Sequence, residues 1–187
     1  MVNKGLLLII SGPSGVGKGS ICKALLSKNK NTVYSVSVTT RTPRKGEVEG
    51  KNYFFVSEEE FIYRRDRGEF LEWAKVFGNY YATPAAEVKK LLTADKNVVL
   101  EIDTQGAMQV KSACPKGISI FILPPSYGEL KKRITKRGSE TEEARQKRLA
   151  LANSEMELAK AYDYQLINDS VEKTTDGILA IIAKNRS

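Results

Sequence analysis

The sequence predicts an α/β chain with a central parallel sheet and helices on both of its faces. Three observations carry this. Short apolar runs of strand length alternate with longer stretches of helical period, the rhythm of strand–helix–strand crossovers. The first run, LLLII at 6–10, is apolar throughout rather than on alternate residues, as in a strand covered on both faces. A glycine-rich turn ending in lysine directly follows the first run.

Four runs read as buried strands: 6–10, 98–102, 118–123 and 164–167, with 34–38 as a fifth candidate. A helix starts near Gly17 and buries Ile21, Ala24 and Leu25. Another starts near Pro84, with Thr83 as cap and the proline in the first turn. Capping-box spacing recurs at Ser57/Glu60, Ser126/Glu129, Ser139/Glu142 and, with aspartate, Asp169/Glu172. The last helix places Thr174, Ile178, Ile181 and Ile182 on one face. Residues 38–83 break the rhythm and are rich in Arg, Gly and Tyr, so they read as an inserted lobe. The polar stretch 135–145 between two helices suits a short lid. The whole reads as one domain over 1–187, with a core of about 1–37, 84–134 and 146–187.

The 30 basic and 22 acidic residues leave a formal charge of +8, which points to an anionic partner. The chain has no histidine, which excludes imidazole acid–base catalysis and histidine metal sites. Two cysteines, Cys22 and Cys114, form neither a metal-ligand spacing nor a disulfide framework. The first apolar run is five residues long, far short of a signal core or membrane span. The expectation is a soluble, cytoplasmic protein that engages no membrane.

After the first strand comes Gly12-Pro13-Ser14-Gly15-Val16-Gly17-Lys18-Gly19-Ser20, with the spacing G-x-x-x-x-G-K. Glycines let backbone N–H groups wrap a phosphate, the next helix presents its positive end, and lysine adds a mobile cation. The motif predicts a bound nucleoside triphosphate. Gly19 stands where a hydroxyl usually contacts Mg²⁺, and the hydroxyl follows at Ser20. Ser20 is therefore the one direct metal candidate, and Mg²⁺ is expected to be held mainly by phosphates and water.

Arg41 and Arg44 flank a proline, and forked guanidinium groups suit phosphate oxygens. With the hydroxyls of Tyr53 and Tyr81 they could hold one phosphate; the alternative is a solvated basic loop. Glu72 is the candidate base reader. A carboxylate has only acceptors and matches the N1 and N2 donors of guanine, whereas adenine would turn a lone pair toward it. The alternative for Glu72 is a surface ion pair.

Four segments, SVSVTTRTPRKGEVEGKNYFFVS, GEFLEWAKVFGNYYATP, VLEIDTQGA and RITKRGSETEE, together resemble the guanylate kinases, and the likeness runs from about residue 7 to 183. The resemblance implies the P-loop nucleoside-monophosphate kinase fold and Mg-dependent phosphoryl transfer from ATP to GMP, with dGMP as a further acceptor. It implies that Ser37, Glu72, Thr83 and Asp103 recognise guanine, with Glu101 alongside at the end of a central strand. It further implies that Arg41, Arg44, Tyr53 and Tyr81 hold the GMP phosphate and that Asp103 orients water around Mg²⁺. Arg137 and Arg148 are implied to close on the transferring phosphate from the lid side, and Asn168 to lie near adenine. Ala82 occupies a place where the family often has glycine. A kinase for another monophosphate, a non-catalytic interaction module of the same fold and a nucleic-acid binder are the competing readings. No nucleic-acid motif accompanies the charge, so no nucleic-acid partner is expected. The sequence leaves the oligomeric state open.

Overall fold

The computed structural model describes residues 5–76, 78–136 and 142–186, with side-chain detail excluding 136, 142–145, 147 and 148. The chain runs β1 (Leu7–Ser11), α1 (Lys18–Lys28), β2 (Thr32–Tyr34), β3 (Ser37–Thr39), β4 (Tyr53–Phe55), α2 (Glu58–Asp66), β5 (Phe70–Val76), β6 (Asn79–Pro84) and α3 (Ala85–Thr93). It continues with β7 (Asn97–Glu101), α4 (Thr104–Ala113), β8 (Ile118–Leu123), α5 (Tyr127–Lys136), α6 (Glu142–Glu157), a 3-10 turn (Leu158–Ala161), β9 (Tyr164–Ile167) and α7 (Val171–Arg186).

Five strands form a parallel sheet in the order β2-β7-β1-β8-β9. β1 lies at its centre and is buried throughout. Its side chains alternate between two cores, because successive residues in a strand point to opposite faces. Leu8 and Ile10 pack with Ile21, Cys22 and Leu25 of α1 and Ile178, Ile181 and Ile182 of α7. Leu7 and Ile9 pack with Val88 of α3, Ala107 and Val110 of α4, and Tyr162. Apolar burial of this kind supplies most of the driving force for folding. A continuous apolar run is therefore what a doubly covered strand requires. A smaller core joins α5 to α6 through Leu130, Ile134, Leu149 and Ala152.

Residues 37–84 build a second sheet, ordered β4-β3-β6-β5. Here β3 runs parallel to β4 and antiparallel to β6, and β5 is antiparallel to β6. This lobe has its own core of Val38, Phe61 and Ala82, with Phe54, Val56, Phe70 and Tyr80 against it. The Ala82 methyl group lies in that core, 0% exposed. Among the described residues, no helix is long and apolar enough to cross a membrane.

Four local expectations are corrected. The run 164–167 forms a strand but not a buried one, since β9 is the sheet edge and Ile167 is 59% exposed. The run 34–38 is two strands in two sheets. Ser35 still bonds to Val99 of the main sheet, and the chain then crosses to the lobe, where Ser37 pairs with Tyr53. Thr83 does not cap α3. It and Pro84 end β6, Pro84 occupies the N-cap position without a side-chain bond, and the Thr83 hydroxyl is committed elsewhere. The box at the last helix is shifted by one residue: the Ser170 hydroxyl accepts from the Lys173 N–H, while Asp169 accepts from the Ser170 N–H. The caps at Ser57 and Ser126 form as expected. Ser139 lies outside the described residues.

The lobe core rests on Phe61, whose ring sits 4.8 Å from that of Phe70 and 5.0 Å from that of Tyr80. Phe61→Ala is expected to cost about 3–5 kcal/mol. The loss should be local, because this core is separate from those of the main sheet. Hydrogen exchange should accelerate in β3 to β6 and leave α1 and α7 protected.

Candidate functional site

The turn after β1 is shaped by glycines that have to be glycines. Gly12, Gly15 and Gly17 have φ values of +146, +84 and +104°, a region other residues enter only with strain. A Cβ at Gly12 would also lie 2.4 Å from the carbonyl oxygen of Ile122. The loop leads into the N-terminus of α1, so its amides and the helix end face the same space.

Lys18 folds back over this loop. Its Nζ donates to the carbonyl oxygens of Gly12 at 2.5 Å and Pro13 at 3.3 Å. Burial lowers its pKa from the ordinary value, while Glu101 and then Glu155 oppose that shift. The loop is buttressed from below. Asn168, 3% exposed, donates from Nδ2 to the Val16 carbonyl at 2.7 Å and accepts from the Thr174 hydroxyl at 3.2 Å. Arg133 of α5 also reaches the Val16 carbonyl, at 3.3 Å. The Asn168 amide is thus committed to holding the loop.

A cleft of about 240 Å³ opens between this loop and the lobe. It is lined by Gly12, Ser14 and Lys18 from the loop side, by Ser37, Tyr53, Glu72 and Tyr81 from the lobe, and by Glu101 and Asp103 from the end of β7. Leu151 and Glu155 of α6 also line it. Tyr53 and Tyr81 meet edge-to-face at 6.0 Å.

Glu72 is 5% exposed and accepts from the Thr83 hydroxyl at 2.6 Å. A surface ion pair is therefore not its role. β5 is pressed here against α4, where a Cβ at Gly106 would come 2.5 Å from Glu72 Oε2. Gln109 holds the neighbouring backbone, accepting from the Trp73 N–H at 3.2 Å and donating to the Trp73 carbonyl at 2.9 Å. Burial pushes the Glu72 carboxyl up to about 7; the Thr83 hydrogen bond offsets part of the rise and the Asp103 carboxylate adds to it. Asp103 itself caps α4, accepting from the Gly106 N–H at 2.8 Å. Glu101 accepts from the Tyr34 hydroxyl.

Arg41 is half-buried. Its Nη2 spans both oxygens of Glu47 at 2.8 and 2.9 Å, and its guanidinium lies 5.4 Å from the Tyr53 ring centre. Hydrogen bonds from Arg41 and from the Arg44 amide hold the Glu47 carboxyl below its ordinary value. The Arg44 backbone N–H donates to Glu47 at 2.8 Å, and the residue is exposed. Ser20 and Gly19 are exposed on the first turn of α1. Arg137 and the Arg148 side chain lie outside the described residues. Among the described residues, no group of three or more Cys, Asp or Glu converges as a metal site.

Sequence reasoning did not single out Glu47, Gly106, Gln109 or Glu155. Glu47 was within reach, since an acid three residues after Arg44 can close the loop. The others depend on which helix packs against which strand.

The chain matches the family model described as guanylate kinase over residues 4–185. A guanylate kinase of Caldanaerobacter subterraneus subsp. tengcongensis is 55% identical over 96% of this chain and 87% of its own length. A guanylate kinase of Halalkalibacterium halodurans is 51% identical, covering 96% of this chain and 88% of its own length. The crystal structure of guanylate kinase from Anaplasma phagocytophilum superposes with a TM-score of 0.82 at 38% identity, over 98% of this chain and 87% of that one.

The buried Glu72 makes a stability prediction. The folded carboxyl, at about 7, binds its proton more tightly than the ordinary value of 4.5. The empty protein therefore loses stability as pH rises from 4.5 through about 7 and not beyond. Glu72→Gln should be more stable than the parent at pH 8 by on the order of 1–3 kcal/mol, and should show no such gain near pH 4.5. Urea unfolding at the two pH values measures it.

Proposed function

The chain belongs to the guanylate kinase family, and from that premise we propose how its cleft moves the γ-phosphoryl group of ATP to GMP, giving ADP and GDP. The observation that carries the residue assignment is the buried Glu72 carboxylate, placed across one cleft from the lysine-tipped glycine loop.

The loop of residues Gly12 to Ser20 takes the ATP phosphates, with Lys18 leaving its carbonyl partners for phosphate oxygens. Asn168 acts here by fixing the loop under the nucleotide. GMP enters from the lobe. Glu72 accepts from guanine N1 and N2, with Thr83 holding the carboxylate in place and Ser37 and Asp103 completing the base contacts. Glu101, bonded to Tyr34, supports the same wall. Arg41, Arg44, Tyr53 and Tyr81 take the GMP phosphate, and Glu47 yields Arg41 to it. No group is assigned to the ribose 2′ position, so dGMP should also be accepted.

The acceptor phosphate is largely dianionic near pH 7, its second pKa being about 6, so it needs no general base. A GMP phosphate oxygen forms a bond to the γ-phosphorus as the bond to the β-bridging oxygen breaks, and ADP leaves. Catalysis then consists of alignment and charge stabilisation. Lys18 and the loop amides hold the donor; Arg41 and Arg44 offset repulsion between the two anions. Arg137 and Arg148 are assigned to the transferring group from the lid, taken as about 135–145, and the lobe of about 38–83 is the moving partner that excludes water.

The residues present fit Mg²⁺, a cation that prefers oxygen donors and keeps much of its water. Ser20 offers one hydroxyl on the loop side, and Asp103 and Glu101 offer carboxylates to its water shell. When bound with ATP, the ion neutralises phosphate charge.

A coupled assay with four acceptors tests the assignment. GMP and dGMP should be phosphorylated, and AMP and dTMP at least about 10³-fold more slowly in kcat/KM, since a site built to pair buried polar groups rejects a mismatched base strongly. Lys18→Ala should lower kcat by on the order of 10²-fold or more. AMP turnover matching that of GMP would overturn the base assignment.

A further inference from the structure

Glu155 belongs to no motif, yet it occupies an unusual place. It lies on α6 and is 9% exposed, and it lines the cleft beside Gly12, Ser14 and Lys18. Burial raises its carboxyl pKa, and Lys18 and, more weakly, the backbone N–H of Ser14 in the glycine loop oppose that rise. Among the described residues, Oε2 is buried without a hydrogen-bond partner. Among the described residues, Asp103, at the N-terminus of α4, and the Tyr162 hydroxyl are the other titratable groups in its field. An acid with a purely structural role would be expected to satisfy both oxygens, because an unpartnered buried acceptor is costly. This one instead shares its cleft with a loop amide and a cation, the two kinds of group that hold a phosphate.

Resting on the donor assignment above, we infer that the Glu155 carboxylate is an internal substitute for a nucleotide phosphate: it occupies the Ser14 amide and the field of Lys18 in the empty cleft and yields both when the donor's phosphates arrive. Three consequences follow from the chemistry. Burial lowers the Lys18 pKa, and Glu155, after Glu101, opposes that fall and so favours the charged form. Glu155 competes with phosphate oxygens for the same amide, so it weakens binding of the donor. After transfer, it can return to the amide and favour departure of ADP. The competition is specific to the donor side, because Glu155 is not among the lobe residues assigned to GMP.

The test uses the full chain with inorganic tripolyphosphate as the probe, followed by steady-state kinetics. Glu155→Gln keeps the shape and removes the charge. It should bind tripolyphosphate about 3- to 10-fold more tightly, the scale of one ordinary net hydrogen bond. KM for ATP should fall in step and KM for GMP should stay where it is. Unchanged or weaker tripolyphosphate binding would overturn the inference. So would a kcat reduced about tenfold or more with KM for ATP unmoved, since that places Glu155 in the reacting complex instead. A measurement on the parent protein does not depend on the variant folding. The Ser14 amide proton resonance should titrate with a carboxyl group in the empty enzyme and lose that pH dependence when tripolyphosphate saturates the loop. A Ser14 resonance indifferent to pH would overturn the inference as well. The two readings fail differently. If tripolyphosphate does not bind the parent, or if Lys18→Ala binds it equally well, the donor assignment is wrong. If it binds the parent through Lys18 and Glu155→Gln is no tighter, only the role of Glu155 is wrong.

Discussion

The site turns on a carboxylate that is withheld from water before it has a ligand. Glu72 is buried where the lobe sheet meets α4, tied to Thr83 and faced by the backbone of Gly106. No cation among the described residues pairs with it, and the nearby Asp103 charge disfavours its ionised form. A buried acid in that position is costly. Guanine's two N–H donors would relieve the cost, whereas adenine would turn a lone pair toward it. Selectivity then comes from an unmet need in the empty site.

The rest of the cleft is arranged the opposite way. Two of the cations assigned to phosphates, Arg41 and Lys18, already have partners before any phosphate arrives. Arg41 is clamped by Glu47, and Lys18 sits on loop carbonyls in the field of Glu101 and Glu155. Two anions must approach one another for phosphoryl transfer, so the site needs concentrated positive charge. Left uncompensated, that charge would repel itself and attract any passing anion. Pairing it with internal acids keeps the empty cleft balanced while the chain as a whole carries +8. In the proposed reaction, substrate phosphates would take the place of these acids.

Much of this was legible in the sequence, for identifiable reasons. Runs of apolar residues mark strands, so β1, β7, β8 and β9 were visible within a residue or so, but the burial expected of β9 was misread, because it is the edge of the sheet. The glycine loop was visible because its φ values and the contact at Gly12 leave few other residues possible. Residues 34–38 were misread because a single β-rich run carries no mark of leaving one sheet for another. The Thr83–Pro84 pair resembles a helix start, but tertiary packing gave the threonine a carboxylate to bind. Glu155 could not be read, since it lies 137 residues from Lys18 in sequence and only the packing of α6 on the loop brings them together. Gly106 and Gln109 have meaning only once β5 lies on α4.

The most direct measurement is the proton released when GMP binds. Calorimetry at pH 7 in buffers of different ionisation enthalpy counts it. With the Glu72 carboxyl at about 7 in the empty protein, guanine should drive the remaining protonated fraction to carboxylate and release roughly half a proton. That release should vanish when residue 72 is glutamine. Binding of GMP without proton release, or with uptake, would contradict the account of how the base is read.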